Sequence, residues 1–525
     1  MTETIETDIV VVGAGLGGLS AAGHLLKDGY GVVVLEHQTK PGGYAHNFKE
    51  RGYRFEVALH ALDGMEQGGW AYPMFEMLGV YDRIEMNRLD PFYTAAFPDF
   101  EVAVPTDIPD FLAEVSAVFP DERDGVSDLF AALRRLGHDM ARYGADRRRG
   151  VKVPMEQMID RYPDMSIAFA TPWAAFMDQY IETDEAKAML STLWGYLGLP
   201  PSRVSAGQFG LTLLSYHTSG AWYPTGGSGA VTGAMAGTIE EWGGSIHYRN
   251  TVTSIVPEGP DRITVTTNRG LVVHARAAVS NASPRATIDY LPQGAVDDIW
   301  EETARDEDPA LASLVVYLGL DRDVTAEGWT HHEFFDMVGY DLDAEYEAIL
   351  AGDFAEAGMI ISNYTVVDPG CAPDGGAVIV LTTLAPWDYK DVWGTGGDLV
   401  GYQDNETYKE IKEAAADILI DRAARRIPGL RESIVVRKVG TPLTNVRYVM
   451  QPHGSLYGRE QTVMSQMNRR KPTTPVGNLF LAGAWIGGGG MTLAVGSGRA
   501  AARAASRYLK KLSATSHQPS EPAES

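Results

Sequence analysis

Asp8-Ile-Val-Val-Val-Gly13-Ala-Gly15-Leu-Gly17-Gly18 is the stretch of sequence that decides the fold. Its uninterrupted β-branched run predicts a short strand buried in a parallel sheet. The glycines form the pattern G-x-G-x-x-G, and the Ala- and Leu-rich segment 19–27 that follows predicts a helix. A second apolar run, 31–35, ends at Glu36, which stands 21 positions after Gly15. The order of strand, glycine turn, helix and strand predicts a Rossmann-like α/β unit.

Each part of this unit suits a bound dinucleotide. Gly13 permits a tight turn, Gly15 lets the backbone approach a pyrophosphate, and Gly18 lets helix and strand pack closely. The helix N-terminus offers free N–H groups and the positive end of its dipole to the phosphates. Glu36 can accept hydrogen bonds from a ribose diol, and its charge would repel a 2′-phosphate. The sequence therefore predicts a dinucleotide without a 2′-phosphate.

Composition excludes several classes of protein. The chain has 525 residues, with 44 Lys and Arg against 69 Asp and Glu, so its net charge is −25. This charge argues against a nucleic-acid partner and against electrostatic attachment to anionic lipid. Cys371 is the one cysteine, so the chain can form no internal disulfide and no cysteine cluster for a metal. We predict no metal site, and we interpret His331-His332-Glu333 as a solvated surface turn.

The location of the protein is predicted from its apolar segments. Residues 9–26 are apolar, but acidic residues precede them and five glycines interrupt them, unlike a signal peptide or a spanning helix. Elsewhere the sequence has no run near the roughly 20 apolar residues that span a bilayer. We therefore expect a soluble, cytoplasmic protein. Residues 513–525 are polar and contain proline, which predicts a disordered tail.

Three further blocks resemble a known superfamily. Gly42-Gly43 lies six residues after Glu36, and two glycine-rich blocks follow at 223–230 and 477–492. These blocks resemble the flavin amine oxidase superfamily. Within it, segments 42–48, 52–60 and 279–284 are most similar to the phytoene desaturase, carotenoid isomerase and retinol saturase group.

Three residues depart from the pattern of that group. Glu56 and Ala58 replace its Asp and Gly, so the local turn can differ. Ala484 stands where many flavin oxidases place an acid, and it removes one polar anchor for the flavin.

The resemblance implies a two-part architecture. A Rossmann-like FAD-binding domain would be built from the discontinuous segments 1–62, 220–290 and 440–510. An α+β substrate-binding domain, with a mixed or antiparallel sheet and helices, would be built from 63–219 and 291–439. Alternation of polar and β-branched residues near 314–317 and 378–382 also favours an antiparallel sheet at the floor of the substrate pocket.

The resemblance also implies a cofactor, FAD, and the residues that hold it. They are Gly13, Ala14, Gly15, Gly17, Gly18, Glu36, Gly42, Gly43, Tyr44, Val252, Ser280, Asn281, Gly483, Ala484, Met491 and Thr492. The glycine clusters at 13–18, 42–43, 226–229 and 487–490 would then all surround one cofactor. His60 matches a histidine of the group and is a candidate donor or acid–base group, although a structural role is equally open.

The implied activity is oxidation, reduction or isomerisation of carbon–carbon bonds in an apolar conjugated substrate such as a carotenoid or retinoid. One alternative is an amine or alcohol oxidase of the same fold. Another is a non-catalytic binding protein like the Rab escort and GDP-dissociation-inhibitor proteins. The sequence leaves the oligomeric state open and points to oxygen or a quinone as electron acceptor. Any peripheral membrane contact should use an apolar lip rather than net charge.

Overall fold

A computed structural model describes residues 3–516 of the chain. Its last helix continues to Ser516, so it includes the first four residues of the segment predicted to be a disordered tail. The remainder of that segment, 517–525, lies outside the described residues.

Strands account for two large sheets and two small ones in this range. In chain order they are β1 (Thr4–Val12), β2 (Val32–Leu35), β3 (Asn47–Glu50), β4 (Tyr53–Glu56), β5 (Leu62–Asp63), β6 (Met86–Leu89), β7 (Tyr93–Ala96), β8 (Glu101–Val104), β9 (Ala221–Pro224), β10 (Ser245–His247), β11 (Val252–Gly259), β12 (Arg262–Thr267), β13 (Val272–Ser280), β14 (Ala312–Leu320), β15 (Glu333–Asp336), β16 (Met359–Asn363), β17 (Ala377–Ala385), β18 (Ile434–Gly440) and β19 (Leu479–Leu481).

The helices cover both sheets and connect them. In chain order they are α1 (Leu16–Lys27), α2 (Tyr72–Met77), α3 (Ile108–Val118), α4 (Arg123–Arg148), α5 (Met158–Arg161), α6 (Pro163–Ala170), α7 (Trp173–Met177), α8 (Asp184–Leu190), α9 (Ala206–Ser219), α10 (Gly227–Glu241), α11 (Pro284–Tyr290), α12 (Asp298–Arg305), α13 (Leu342–Ala351), α14 (Glu406–Arg426), α15 (Pro442–Val449), α16 (Val463–Met467), α17 (Ala484–Gly487) and α18 (Met491–Ser516).

The first large sheet has the order β10-β2-β1-β13-β12-β11, and β19 also pairs with β13. Strands β10, β2, β1, β13 and β19 run parallel, whereas β12 and β11 are antiparallel additions. The strand β1 is buried on both faces, because Ile9 and Val11 pack into one core and Val10 and Val12 into another. Because both faces of β1 are buried, its apolar residues do not alternate with polar ones.

The second large sheet has the order β18-β14-β17-β16-β15-β7-β8. Its pairs are antiparallel except for β15 with β7, so the sheet is mixed. The segments predicted to alternate form β14 and β17, which pair antiparallel with Val316 opposite Leu381. The predicted fold class, a Rossmann-like α/β part built from discontinuous segments with an α+β part, is confirmed.

Helices α1 and α18 pack closely beneath the first sheet, because glycine lies at their contact. A Cβ atom on Gly498 of α18 would overlap the carbonyl oxygen of Gly17 and lie 2.7 Å from the Cβ of Ser20. The Ser20 hydroxyl donates a 2.7 Å hydrogen bond to the Val495 carbonyl across the same contact. Both helices begin at the glycine-rich loops, so their separation positions those loops.

We expect Gly498→Ala to lower the free energy of unfolding by about 1–3 kcal/mol, the usual cost of an overpacked core. Gly496→Ala is the matched control, because a Cβ at that position meets nothing within 4 Å. The control should be neutral or slightly stabilising, since alanine favours helix over glycine. Urea unfolding of both variants without added cofactor measures the difference, and equal stabilities would contradict the prediction.

Candidate active site

One cavity brings together residues from both large sheets. Its first wall consists of the glycine-rich loops, with Gly15, Leu16, Gly17, Gly42, Gly43, Tyr44, Asn281, Gly483, Ala484, Gly490 and Met491. Ten predicted residues therefore line this cavity: nine of the predicted cofactor residues, and His60. We call this region the cofactor cleft.

The loops of the cofactor cleft approach one another too closely to carry side chains. A Cβ on Gly15 would lie 2.6 Å from Asn281 Nδ2, and one on Gly17 would lie 2.7 Å from the Gly483 nitrogen. The buried Oδ1 of Asn281 has no hydrogen-bond partner among the described residues. Bare backbone and a helix N-terminus fit the pyrophosphate of a ligand such as FAD, and the unpaired amide oxygen can accept a hydrogen bond from one of its hydroxyl groups.

Glu36 lies at the end of β2 and is buried. Its Oε2 accepts a 2.7 Å hydrogen bond from the Ala14 N–H, and its Oε1 accepts one of 2.8 Å from the Gln38 N–H. His37 Nδ1 lies 2.9 Å from the same Oε1. These contacts fix the carboxylate beside the glycine turn, and its predicted role in holding a ribose stays a prediction.

Other predicted cofactor residues lie outside the lining of the cofactor cleft. Gly13 and Gly18 form the turn itself, where a Cβ on Gly18 would overlap the Gly13 carbonyl. Ser280 is fully buried, with its hydroxyl 2.7 Å from that of Thr287, so it supports the end of β13. Val252 is buried at the start of β11.

Thr492 lies on a second cavity rather than in the cleft. Its hydroxyl donates a 2.9 Å hydrogen bond to Asp63.

The glycine cluster at 226–229 differs from its predicted position around the cofactor. Gly227 and Gly229 lie against the side chains of Glu56 and Asn47. The buried Glu56 carboxylate accepts hydrogen bonds from the Ser228 N–H at 2.8 Å and the Ser228 hydroxyl at 2.6 Å. This acid therefore occupies the N-terminus of α10, whose Thr232 donates to the Ala45 carbonyl and supports the 42–45 loop.

His60 lies where the cofactor cleft meets the second cavity. It lines both cavities, as do Tyr196, Tyr457, Gly490 and Met491. The His60 ring stacks on Tyr196 with centroids 5.6 Å apart, and the buried Tyr196 hydroxyl has no partner among the described residues. The junction of the two cavities thus carries an imidazole and a phenol hydroxyl side by side.

Glu333 is the partner of His60. Its Oε2 lies 3.0 Å from His60 Nδ1, and its side chain is fully buried. Burial alone would lower the pKa of His60, but the charge and hydrogen bond of Glu333 outweigh it and raise that pKa above its ordinary value. A buried carboxylate requires such a partner, so the pair favours a protonated imidazole. Because Nδ1 faces Glu333, Nε2 is the nitrogen left for a ligand.

The prediction that His331-His332-Glu333 is a solvated turn is wrong. His332 and Glu333 are buried, and Glu333 begins β15. His332 Nε2 lies 3.0 Å from the His60 carbonyl oxygen, which ties the two segments together. Sequence reasoning missed Glu333, although the apolar pair Phe334-Phe335 directly after it is a signal of a buried strand.

The remaining walls are mainly apolar. The second sheet and α13 complete the cofactor cleft with Val315, Phe335, Met337, Ile349, Ile360 and Leu384. The second cavity measures about 550 Å³, within the range of small-molecule sites, and α4, α6 and α9 line it. Among residues 3–516 no three His, Cys, Asp or Glu side chains are grouped to hold a metal ion.

Comparisons with known proteins give the family. A model described as "Flavin containing amine oxidoreductase" matches residues 16–506. All-trans-retinol 13,14-reductase of Danio rerio is 23% identical, over 91% of this chain and 82% of its own length. Chloroplastic prolycopene isomerase of Daucus carota is 25% identical, over 91% of this chain and 76% of its own length. A crystal structure of an oxidoreductase from Methanosarcina mazei superposes with a TM-score of 0.62 at 17% identity, covering 94% of this chain and 99% of that one.

These findings confirm the predicted resemblance, the oxidoreductase class and FAD as cofactor. They do not support the non-catalytic binding protein considered as an alternative. Since the match extends over residues 16–506, the chain belongs to the flavin-containing amine oxidoreductase family.

Proposed function

We propose that this protein is an FAD-dependent oxidoreductase that saturates, desaturates or isomerises carbon–carbon bonds of an apolar conjugated substrate of the carotenoid or retinoid type. The observation that carries the proposal is the pair of mainly apolar cavities, the cofactor cleft and the second cavity, that share His60 in their lining. The names of the two relatives given above, a retinol reductase and a prolycopene isomerase, state substrates of this type. An apolar lining binds such a substrate through burial rather than charge.

The sixteen residues predicted to hold FAD, and the domain boundaries predicted with them, are part of this proposal. FAD supplies hydride transfer to or from carbon when it is bound. Gly15, Gly17 and Gly483 let backbone approach it, and the N-termini of α1 and α18 offer N–H groups to negative charge. The electron acceptor is oxygen or a quinone, since the sequence has one dinucleotide fingerprint preceded by a buried strand.

The test is an anaerobic substrate panel with product identification. The FAD-loaded protein is used in two anaerobic series, one with oxidised flavin and one with flavin reduced beforehand by dithionite. Each is mixed with carotenoids, retinoids and amines, the flavin absorbance is followed, and products are analysed by mass spectrometry. We expect a polyene product that has gained or lost two hydrogens, or an isomer of unchanged mass. Amine turnover that releases hydrogen peroxide on aeration, without polyene turnover, would identify an amine oxidase instead.

His60 is proposed as the acid–base group of this reaction. Its position at the junction of the two cavities, with Nδ1 on Glu333, supports proton transfer through Nε2. The raised pKa keeps the imidazole protonated to a higher pH than free histidine, so proton donation is lost only as the pH rises through that raised value.

Glu333→Gln should move this loss of activity to lower pH by about one to three units, because an opposite charge at this distance shifts a pKa by that amount. Without the carboxylate, burial dominates and lowers the pKa of His60. The pH dependence of kcat measures the shift, and His60→Asn should abolish the loss of activity at high pH. If the pH at which activity is lost does not change in Glu333→Gln, the role proposed for His60 is excluded.

The protein is further proposed to be cytoplasmic and to dock reversibly on membranes. None of the helices in residues 3–516 combines the length and hydropathy needed to cross a bilayer. An exposed apolar patch on α5, α6, α16 and the segment before α5 supports peripheral contact instead. Its members are Met155, Ile159, Ile167, Met464 and Met467, with Met155 76% exposed.

The surroundings of this patch also suit a lipid surface. Arg147, Arg148, Arg149 and Lys152 are exposed in the residues that precede Met155 along a chain whose net charge is −25. The second cavity is lined by the neighbouring parts of α4 and α6, and by Arg469, which follows α16 closely. An exposed apolar patch binds a bilayer through burial of its side chains and would admit an apolar substrate beside the cavity.

Replacing Met155, Met464 and Met467 together by Ser should weaken binding to phosphatidylserine-containing vesicles several-fold at both low and high salt. Apolar burial does not depend on ionic strength, so the loss should persist when salt screens the arginines. Val400→Ser is the control, since Val400 is 84% exposed in the segment between β17 and α14, outside the elements that form the patch. Vesicle flotation measures both, and an equal loss in the control would contradict the assignment of the patch.

A further inference from the structure

Glu345 is an acidic side chain in the apolar wall of the cofactor cleft. It lies on α13, one turn before Ile349, and both residues line the cavity together with Phe335 and Ile360. Glu345 is buried, with 5% of its surface exposed to solvent. Burying an acid in this position costs free energy unless both of its oxygens have hydrogen-bond partners.

One oxygen of Glu345 has a partner and the other has none. Oε1 accepts a 2.8 Å hydrogen bond from the Gly358 N–H. Any side chain at Gly358 would collide with this carboxyl group, because its Cβ would lie 2.5 Å from Oε1. Oε2 is buried and has no hydrogen-bond partner among residues 3–516. The site therefore holds the carboxyl group in place by one oxygen and leaves the other free.

Neighbouring charges do not use the free oxygen. Arg422 is the cation that acts on Glu345, but its guanidinium is bound to Asp336 at 2.9 Å and to the Ala357 carbonyl. Burial raises the pKa of Glu345 to about 7, against the smaller opposing effects of the Gly358 N–H and Arg422. Near neutral pH the group is thus available both to donate and to accept a hydrogen bond.

We propose that Glu345 forms a polar subsite that binds a hydroxyl group of the substrate, so that the preferred substrate is a hydroxylated polyene rather than a pure hydrocarbon. This inference rests on the proposed function. A hydroxyl group donates and accepts, so it matches Oε2 in either protonation state of the carboxyl group. A hydrocarbon would leave the buried oxygen unpaired, and sites built around a hydrogen bond discriminate strongly against ligands that lack it.

The test compares two ligands that differ by one hydroxyl group. All-trans-retinol and its deoxy hydrocarbon analogue are titrated into the FAD-loaded protein, and dissociation constants are measured by fluorescence quenching. The wild type should bind retinol at least about tenfold more tightly than the analogue. Glu345→Leu should abolish that preference, Glu345→Gln should keep most of it, and the exposed Glu347→Gln on the same helix should not change it.

The outcomes separate this inference from the function on which it rests. Equal binding of the two ligands by the wild type, with turnover of either, would overturn the hydroxyl subsite and leave the polyene activity in place. A preference that survives in Glu345→Leu would also overturn it. Oxidation of a primary amine that depends on Glu345, without binding of either polyene, would overturn both. Equal binding of the two ligands by the wild type would overturn the inference even if Glu345→Leu fails to fold.

Discussion

The close approach of backbone to backbone around Asn281 is the constraint on which the rest of the structure depends. Gly15, Gly17 and Gly483 come from opposite ends of the chain, and a side chain on any of them would collide with Asn281. Their positions require α1 and α18 to pack through glycine and β13 to end beside β1. The parallel sheet therefore places three loops without side chains at one point, where a dinucleotide can lie.

A second constraint joins the small sheet of β3 and β4 to the second large sheet, at the opposite wall of the cofactor cleft. His60 follows the first small sheet, whereas Glu333 begins a strand of the second large sheet, and the buried pair connects them. Separating the sheets would leave a buried carboxylate without its cation, which is costly in a low-dielectric interior. The pair thus fixes the geometry of the junction between the two cavities as well as the charge of the imidazole.

Local signals made part of this architecture predictable. The strand at 4–12, the helix at 16–27 and the strand at 32–35 lie within a few residues of their predicted bounds, because each has its own periodicity and glycine stop. Nine of the predicted cofactor residues meet in one cleft for the same reason. The partnership of His60 with Glu333 could not be predicted this way, since it joins residues 273 positions apart with no shared spacing. The glycines at 226–229 were predicted to surround the cofactor but do not line the cofactor cleft, and a buried acid, Glu56, fills the helix N-terminus beside them.

The distribution of charge separates the roles of the surface and the interior. The chain carries a net charge of −25, yet four exposed cations precede its exposed apolar patch in sequence and its cavities contain few ionisable groups. Where acids do enter the interior they are held by defined partners, as Glu56 is by α10, Glu333 by His60 and Glu345 by Gly358. Glu333 and Glu345 each keep one buried oxygen without a partner among the described residues, but of the three acids Glu345 is the one that lines the cofactor cleft. The substrate is the natural source of a hydrogen bond to Glu345, since the neighbouring side chains Phe335, Ile349 and Ile360 offer that oxygen no donor.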